Sequence, residues 1–305
     1  MNKKFVLHKF LVRMVVVTVV ISSHQTAQAA FKPVIHRHSI EEIASAVNSY
    51  LIETENGVIV IDSSLTVSGG KSVRTKLESL KKPLLAIILT HGHPDHYNGV
   101  TEVLASDQVP VIATVGADKV IRERDAALAE RVGPRFGEEW PKKRTFPSKT
   151  VNDGESVTFE GVTLTVHDLG PGESPSDAYW ILEGEEKYAF IGDVVIHQSH
   201  AYMADGYSAQ WLKNLDRLKT ELKDVKMIYP GHGEPGSLEM LDWQKSYILA
   251  YRDAVKSLAK GQPTLTDEGK KEFAVKMKAF FPSERGAYLI EWGADPIAAE
   301  LAKEK

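Results

Sequence analysis

The chain has 305 residues, 43% of them hydrophobic and 26% charged, and no cysteine. Disulfide frameworks, thiolate zinc sites, iron-sulfur clusters and cysteine nucleophiles are thereby excluded, so any chemistry rests on oxygen and nitrogen. A formal net charge of −4 makes the chain a poor candidate for gripping phosphate backbones, and nucleic acid drops well down the list of expected partners.

Residues 1–29 read as a signal peptide. Lys3, Lys4, Lys9 and Arg13 form a basic start, Met14 to Ile21 an apolar run, and Ala27-Gln28-Ala29 a small-residue cleavage site. The run is shorter than the roughly 20 residues that a membrane span needs. No membrane anchor is therefore expected after cleavage, and the mature chain, 30–305, is expected in the periplasm or secreted. Cleavage removes four basic residues and no acidic one, which leaves the remainder more acidic still.

Tyr50 to Glu53 and Val58 to Ile61, separated by Thr54-Glu55-Asn56-Gly57, read as a hairpin that ends at Asp62. Val73, Leu77 and Leu80 recur at helical spacing up to Pro83, and Leu84 to Leu89 is a continuous apolar run expected of a strand buried on both faces. Val111 to Ala113 repeats the strand pattern, followed by a helix from about Ala117 to Arg131 and a looser stretch from Gly133 to Pro147. Strands then follow at Val157 to Phe159, Val162 to Val166, Ala178 to Leu182 and Tyr188 to Ile191. Trp211, Leu215, Leu218 and Leu222 mark a helix, Met227 to Tyr229 a short strand, and Ile248, Tyr251, Val255 and Leu258 a long helix. No linker divides the halves, so one domain of mixed strands between helices is expected, with a tail from about 263 to 305 of amphipathic helices without chemical motifs.

The segment after the buried strand reads His91-Gly92-His93-Pro94-Asp95-His96, four metal-ligating side chains in six residues. Gly92 and Pro94 let the loop splay them, so that His91 and His93 meet one ion while Asp95 and His96 turn toward a second. Glu173, Asp193 and His232 each stand in a glycine-containing turn at a strand end, where a side chain is free to face the same cleft.

In this order the residues resemble the metallo-β-lactamase superfamily, whose hallmark is His-x-His-x-Asp-His followed by single ligands at later strand ends. The resemblance runs from about Ser49 to Glu234. It implies a four-layer αβ/βα sandwich of the α/β class with mixed sheets. It also implies one metal on His91, His93 and Glu173, a second on Asp95, His96 and His232, and Asp193 bridging them. Asp62 resembles the aspartate that supports the histidine loop, with a plain strand-end cap as the alternative.

Most of the superfamily has histidine where this chain has Glu173. Coordination by Glu173 would make a His2Glu site, as in members that cleave alkyl sulfate esters. A solvent-facing Glu173 would leave the first site weak. Three carboxylates around two cations weaken their Lewis acidity. Zinc, two ions per chain, is the default, while the oxygen donors also suit manganese or iron. Lack of cysteine excludes the lactamase subclasses with a cysteine at the position of Asp193. His197, His200 and Tyr202 follow Asp193 on a loop and either line the cleft or pack.

The expected reaction is hydrolysis of a small-molecule ester, lactone, thioester, sulfate ester or β-lactam by metal-activated water, with Asp95 or Asp193 as proton acceptor. Alternatives are an iron-dependent oxidoreductase of the same superfamily and a catalytically weak metal-binding protein.

Overall fold

The computed structural model describes residues 32–42 and 45–304; the signal-peptide segment lies outside them. In the first half, β1 (Val34–Glu42), β2 (Ser45–Glu53) and β3 (Val58–Ile61) lead to α1 (Val67–Ser79) and β4 (Leu84–Ile88). Two short helices, α2 (Pro94–Tyr97) and α3 (Val100–Leu104), precede β5 (Val111–Thr114), α4 (Val115–Arg131) and β6 (Lys149–Val151). The second half contains β7 (Ser156–Phe159), β8 (Val162–Gly170), β9 (Asp177–Leu182), β10 (Lys187–Ile196), α5 (Ser208–Glu221) and β11 (Val225–His232). It ends in α6 (Glu239–Ala259), α7 (Asp267–Phe280), a 3-10 segment at Ala287–Gly293 and α8 (Ala294–Leu301).

Side-chain alternation along the apolar strands builds the layers. In β3, Ile59 and Ile61 face inward while Val58 and Val60 meet α1 and α3. In β9, Ala178, Trp180 and Leu182 face inward while Tyr179 and Ile181 pack under α5 and α6. Both sheet halves therefore bury two faces, as their continuous hydrophobic runs require, and the result is the four-layer α/β sandwich with mixed strands. Phe273, Met277, Ile290 and Ile297 of the tail join the core beneath α6.

The strand order β6-β5-β4-β3-β2-β11-β10-β9-β8-β7 joins the halves at β2 and β11, where the ladder has a single pair, Val47 opposite His232. Side chains reinforce that seam. Asn48 Nδ2 donates to the carbonyls of Pro230 (3.0 Å) and Gly233 (2.8 Å), and the Tyr50 hydroxyl to Pro230 O at 2.6 Å. Two strands escaped the sequence reading: β1, paired along its length with β2, and β6, three residues long. Thr66, whose side chain accepts from Gly69 N at 3.0 Å, starts α1 ahead of its apolar stripe.

Candidate metal centre

The histidine loop leaves β4 and turns into α2, whose first residue is Pro94. Trp180, buried between the sheets, donates its indole N–H to Leu89 O (3.3 Å) just before the loop. Gly192, at φ 54°, sits in a register shift of β10 that redirects Asp193; a side chain there would meet Thr90 Oγ1 at 2.6 Å. Glu173 lies in the turn between β8 and β9. Asp177 staples this turn, accepting from Glu173 N (2.6 Å) and the Ser174 hydroxyl (2.5 Å), and burial pushes the Asp177 carboxyl up to about 7.

These elements bring seven side chains into two groups. His91, His93, Glu173 and Asp193 form one, and Asp95, His96, Asp193 and His232 the other, each with donor atoms within 4.8 Å of one another. Glu173 Oε2 lies 3.0 Å from His93 Nδ1 and 3.6 Å from His91 Nε2. Asp193 Oδ1 is 3.3 Å from His96 Nε2, and its Oδ2 is 3.2 Å from His232 Nε2. Asp95 Oδ2 stands 3.2 Å from His232 Nε2. Glu173 is 1% exposed, so it faces the site rather than solvent.

The outer nitrogen of each histidine has an oxygen partner. Thr90 Oγ1 holds His91 Nδ1 (3.0 Å), Asp205 Oδ2 holds His93 Nε2 (2.9 Å), Asp62 Oδ2 holds His96 Nδ1 (2.9 Å) and Ala46 O holds His232 Nδ1 (2.7 Å). Donation outward leaves the opposite nitrogen's lone pair aimed inward. Thr90 in turn donates to Asp62 from N (2.9 Å) and Oγ1 (2.7 Å). Asp62 is thus a support of the loop and not a plain cap.

Inward, His91 Nε2, His96 Nε2, both Glu173 oxygens and Asp193 Oδ1 are buried without a hydrogen-bond partner. Each such atom costs about 1–3 kcal/mol, and five of them converging on one place fit a pair of divalent cations. Burial raises Glu173 to about 8. Burial opposes charging His232, yet Asp193 and Asp95 outweigh it and lift the ring to about 10. Both shifts favour the protonated forms, which must give up their protons to ligate, so cation affinity rises with pH. Zinc titrations by calorimetry in two buffers of different ionisation enthalpy should report net proton release at pH 7; no exchange would contradict the ligand assignment.

Of the other residues singled out, Tyr202 lies edge-on to His93, with ring centroids 5.1 Å apart. His200 is buried between Tyr247 OH (3.0 Å) and Ser283 O (3.1 Å) and shows at the cleft wall. His197 packs instead, bonded to Glu234 O and edge-on to Trp243, which corrects its candidacy as a cleft residue. Tyr97 is core, its hydroxyl donating to Asp125.

Asp205 escaped the sequence reading, because a single acid in a loop carries no local pattern. Burial alone would raise it, but the bonds from His93 and Arg124 prevail and hold it at about 2. Asp205→Ala should weaken metal affinity or activity by about 10- to 100-fold, measured with a competing chelator; wild-type affinity and activity would reduce the contact to packing.

The groups lie at the foot of a cleft of about 860 Å³. The tail, read as helices without chemistry, supplies Tyr288, Leu289, Trp292 and Pro296 to its wall.

The sequence model of the metallo-beta-lactamase superfamily matches residues 43–232. A linear primary-alkylsulfatase of a Pseudomonas species is 37% identical over 222 residues, covering 61% of this chain and 41% of that protein. A hydroxyacylglutathione hydrolase of Bdellovibrio bacteriovorus is 31% identical over 157 residues, covering 51% of this chain and 52% of that protein. The chain thus spans about half or less of these two relatives. A metallo-beta-lactamase from Pontibacter korlensis shares the fold, with a TM-score of 0.55 at 19% identity over 73% of this chain and 96% of that one. Because the matched segment contains all seven converging donors, from His91 to His232, the chain belongs to the metallo-beta-lactamase superfamily, as a metal-dependent hydrolase of that fold.

Proposed function

We propose that the protein hydrolyses an ester-type bond in a small amphipathic molecule outside the cytoplasm, with sulfate esters as the leading class. The carrying observation is the position of both donor groups at the foot of a cleft whose walls include Leu65, Leu128, Val132, Ile196 and Leu289. Such walls bind an apolar chain and keep bulk water from the reacting bond. The glutamate at 173 and the 37% identity to an alkylsulfatase support sulfate esters.

His91, His93 and Glu173 would hold one cation, Asp95, His96 and His232 the other, and Asp193 both. Zinc is the first choice, with manganese or iron also suited to the oxygen-rich set. Bound cations supply Lewis acidity and a nucleophile at neutral pH. The Asp95 side chain is a quarter exposed, more than that of His96 or Asp193 beside it, so the oxygen not facing the cations is placed to accept a proton from solvent.

The test is zinc- and manganese-loaded protein assayed on dodecyl sulfate, a phenyl ester, a lactone, a thioester and a chromogenic cephalosporin. Long-chain sulfate or carboxylic esters should exceed the cephalosporin by at least about tenfold in kcat/KM, and chelation should abolish the activity. Two bound cations with no substrate turned over would refute the reading. Iron with oxygen consumption would favour the oxidoreductase alternative.

A further inference from the structure

The outer half of the cleft has two walls. On one, α4 presents Arg124, Ala127, Leu128 and Arg131, the i, i+3, i+4, i+7 spacing of one helical face, and Arg135 continues the row in the 3-10 turn that follows. On the other stand Tyr288, Leu289 and Trp292 of the 3-10 segment Ala287–Gly293, beyond the part of the chain that matches the family.

The three arginines differ in commitment. Arg124 Nη1 donates to Asp205 Oδ1 at 2.7 Å, and Asp205 holds His93, so this turn of α4 is level with the metal centre. Among the described residues neither Arg131 nor Arg135 makes an ion pair. The Arg135 guanidinium lies over the Trp292 ring, 5.5 Å from its centroid, and so spans the two walls. Glu123, also on the wall, faces Lys119 at 3.9 Å. Two uncompensated cations beside an apolar trough, in a chain of net negative charge, focus an attractive potential for anions on the cleft mouth.

We infer that the substrate carries, besides the group hydrolysed at the metal centre, a second anionic group held by Arg131 and Arg135, with an apolar stretch between. This rests on the hydrolytic reading and adds a distal recognition point to it. Seven residues of helix at 1.5 Å rise set the turn of Arg131 about 10 Å along α4 from the turn of Arg124, which leaves room for an apolar stretch between the two anionic ends. Leu128 on one wall and Leu289 on the other flank the intervening chain.

The experiment is calorimetric binding of decanedioate and of decanoate to the zinc-loaded protein at low salt, with the same pair tested on the Arg131→Ala/Arg135→Ala double variant. Zinc content of the variant checks its fold. Decanedioate should bind the unaltered protein at least about tenfold more tightly than decanoate. That preference should shrink with added salt and vanish in the variant. Equal affinities in the unaltered protein, a preference retained by the variant, or no binding of either acid at millimolar concentration would each overturn the inference. No turnover is required. A protein that prefers the dianion but hydrolyses nothing defeats the hydrolytic reading alone, and one that hydrolyses neutral esters without the preference defeats this inference alone.

Discussion

Glu173→Ala is expected to hold one divalent cation per chain where the unaltered protein holds two, and to lose most of its turnover. The buried Glu173 carboxylate meets the inward nitrogens of His93 (3.0 Å) and His91 (3.6 Å), so its contacts are to the other proposed ligands of the same cation. Its backbone is held independently: Asp177 accepts from Glu173 N, and Asn214 Nδ2 donates to Pro171 O at 2.9 Å. The fold should therefore survive the truncation. Loss of a partner that merely supports a ligand costs about 10- to 100-fold, and loss of a direct donor should exceed that range. A ligand that binds only the folded chain stabilises it in proportion to RT ln(1 + [L]/Kd), so the rise in Tm on adding zinc should shrink while the metal-free Tm stays nearly unchanged. Elemental analysis with paired melts decides it. Unchanged stoichiometry and activity would remove Glu173 from the ligands.

Gly231→Ala should have the larger structural effect. A Cβ at this position would fall 1.9 Å from Asp193 Oδ1 and 2.9 Å from His96 Cε1, far inside van der Waals contact. The nearest atom that would have to yield belongs to the one residue common to both donor groups, Asp193. Displacing Asp193 spoils the two groups together, so zinc content should drop below one per chain and turnover should vanish. Overpacking of this kind costs about 1–3 kcal/mol, visible as a lower Tm in the metal-free protein. A variant with two cations and normal turnover would show that Asp193 does not lie against Gly231 as described.

Much of the site was legible because its donors are marked locally. The six residues His91 to His96 announce themselves by density, and Glu173, Asp193 and His232 each stand beside a glycine that the turn requires. The supporting role of Asp62 came into view only through its likeness to a known position, and the structure resolved its alternatives in favour of support, with Thr90 donating to it twice. Fold class was readable from Leu84 to Leu89 and from Ala178 to Leu182, whose unbroken apolar runs mean burial on both faces. β6 is too short to carry a period.

The sequence by itself determined which atoms can bind cations, since glycine-rich strand ends and a dense histidine loop encode that chemistry within a few residues of chain. Only the tertiary structure decided what surrounds those atoms. Asp205 reaches His93 across 112 residues of sequence and Arg124 reaches Asp205 across 81, and the tail returns to wall the cleft. Such partners meet because sheets and helices pack, and packing leaves no periodic trace at the residues it brings together.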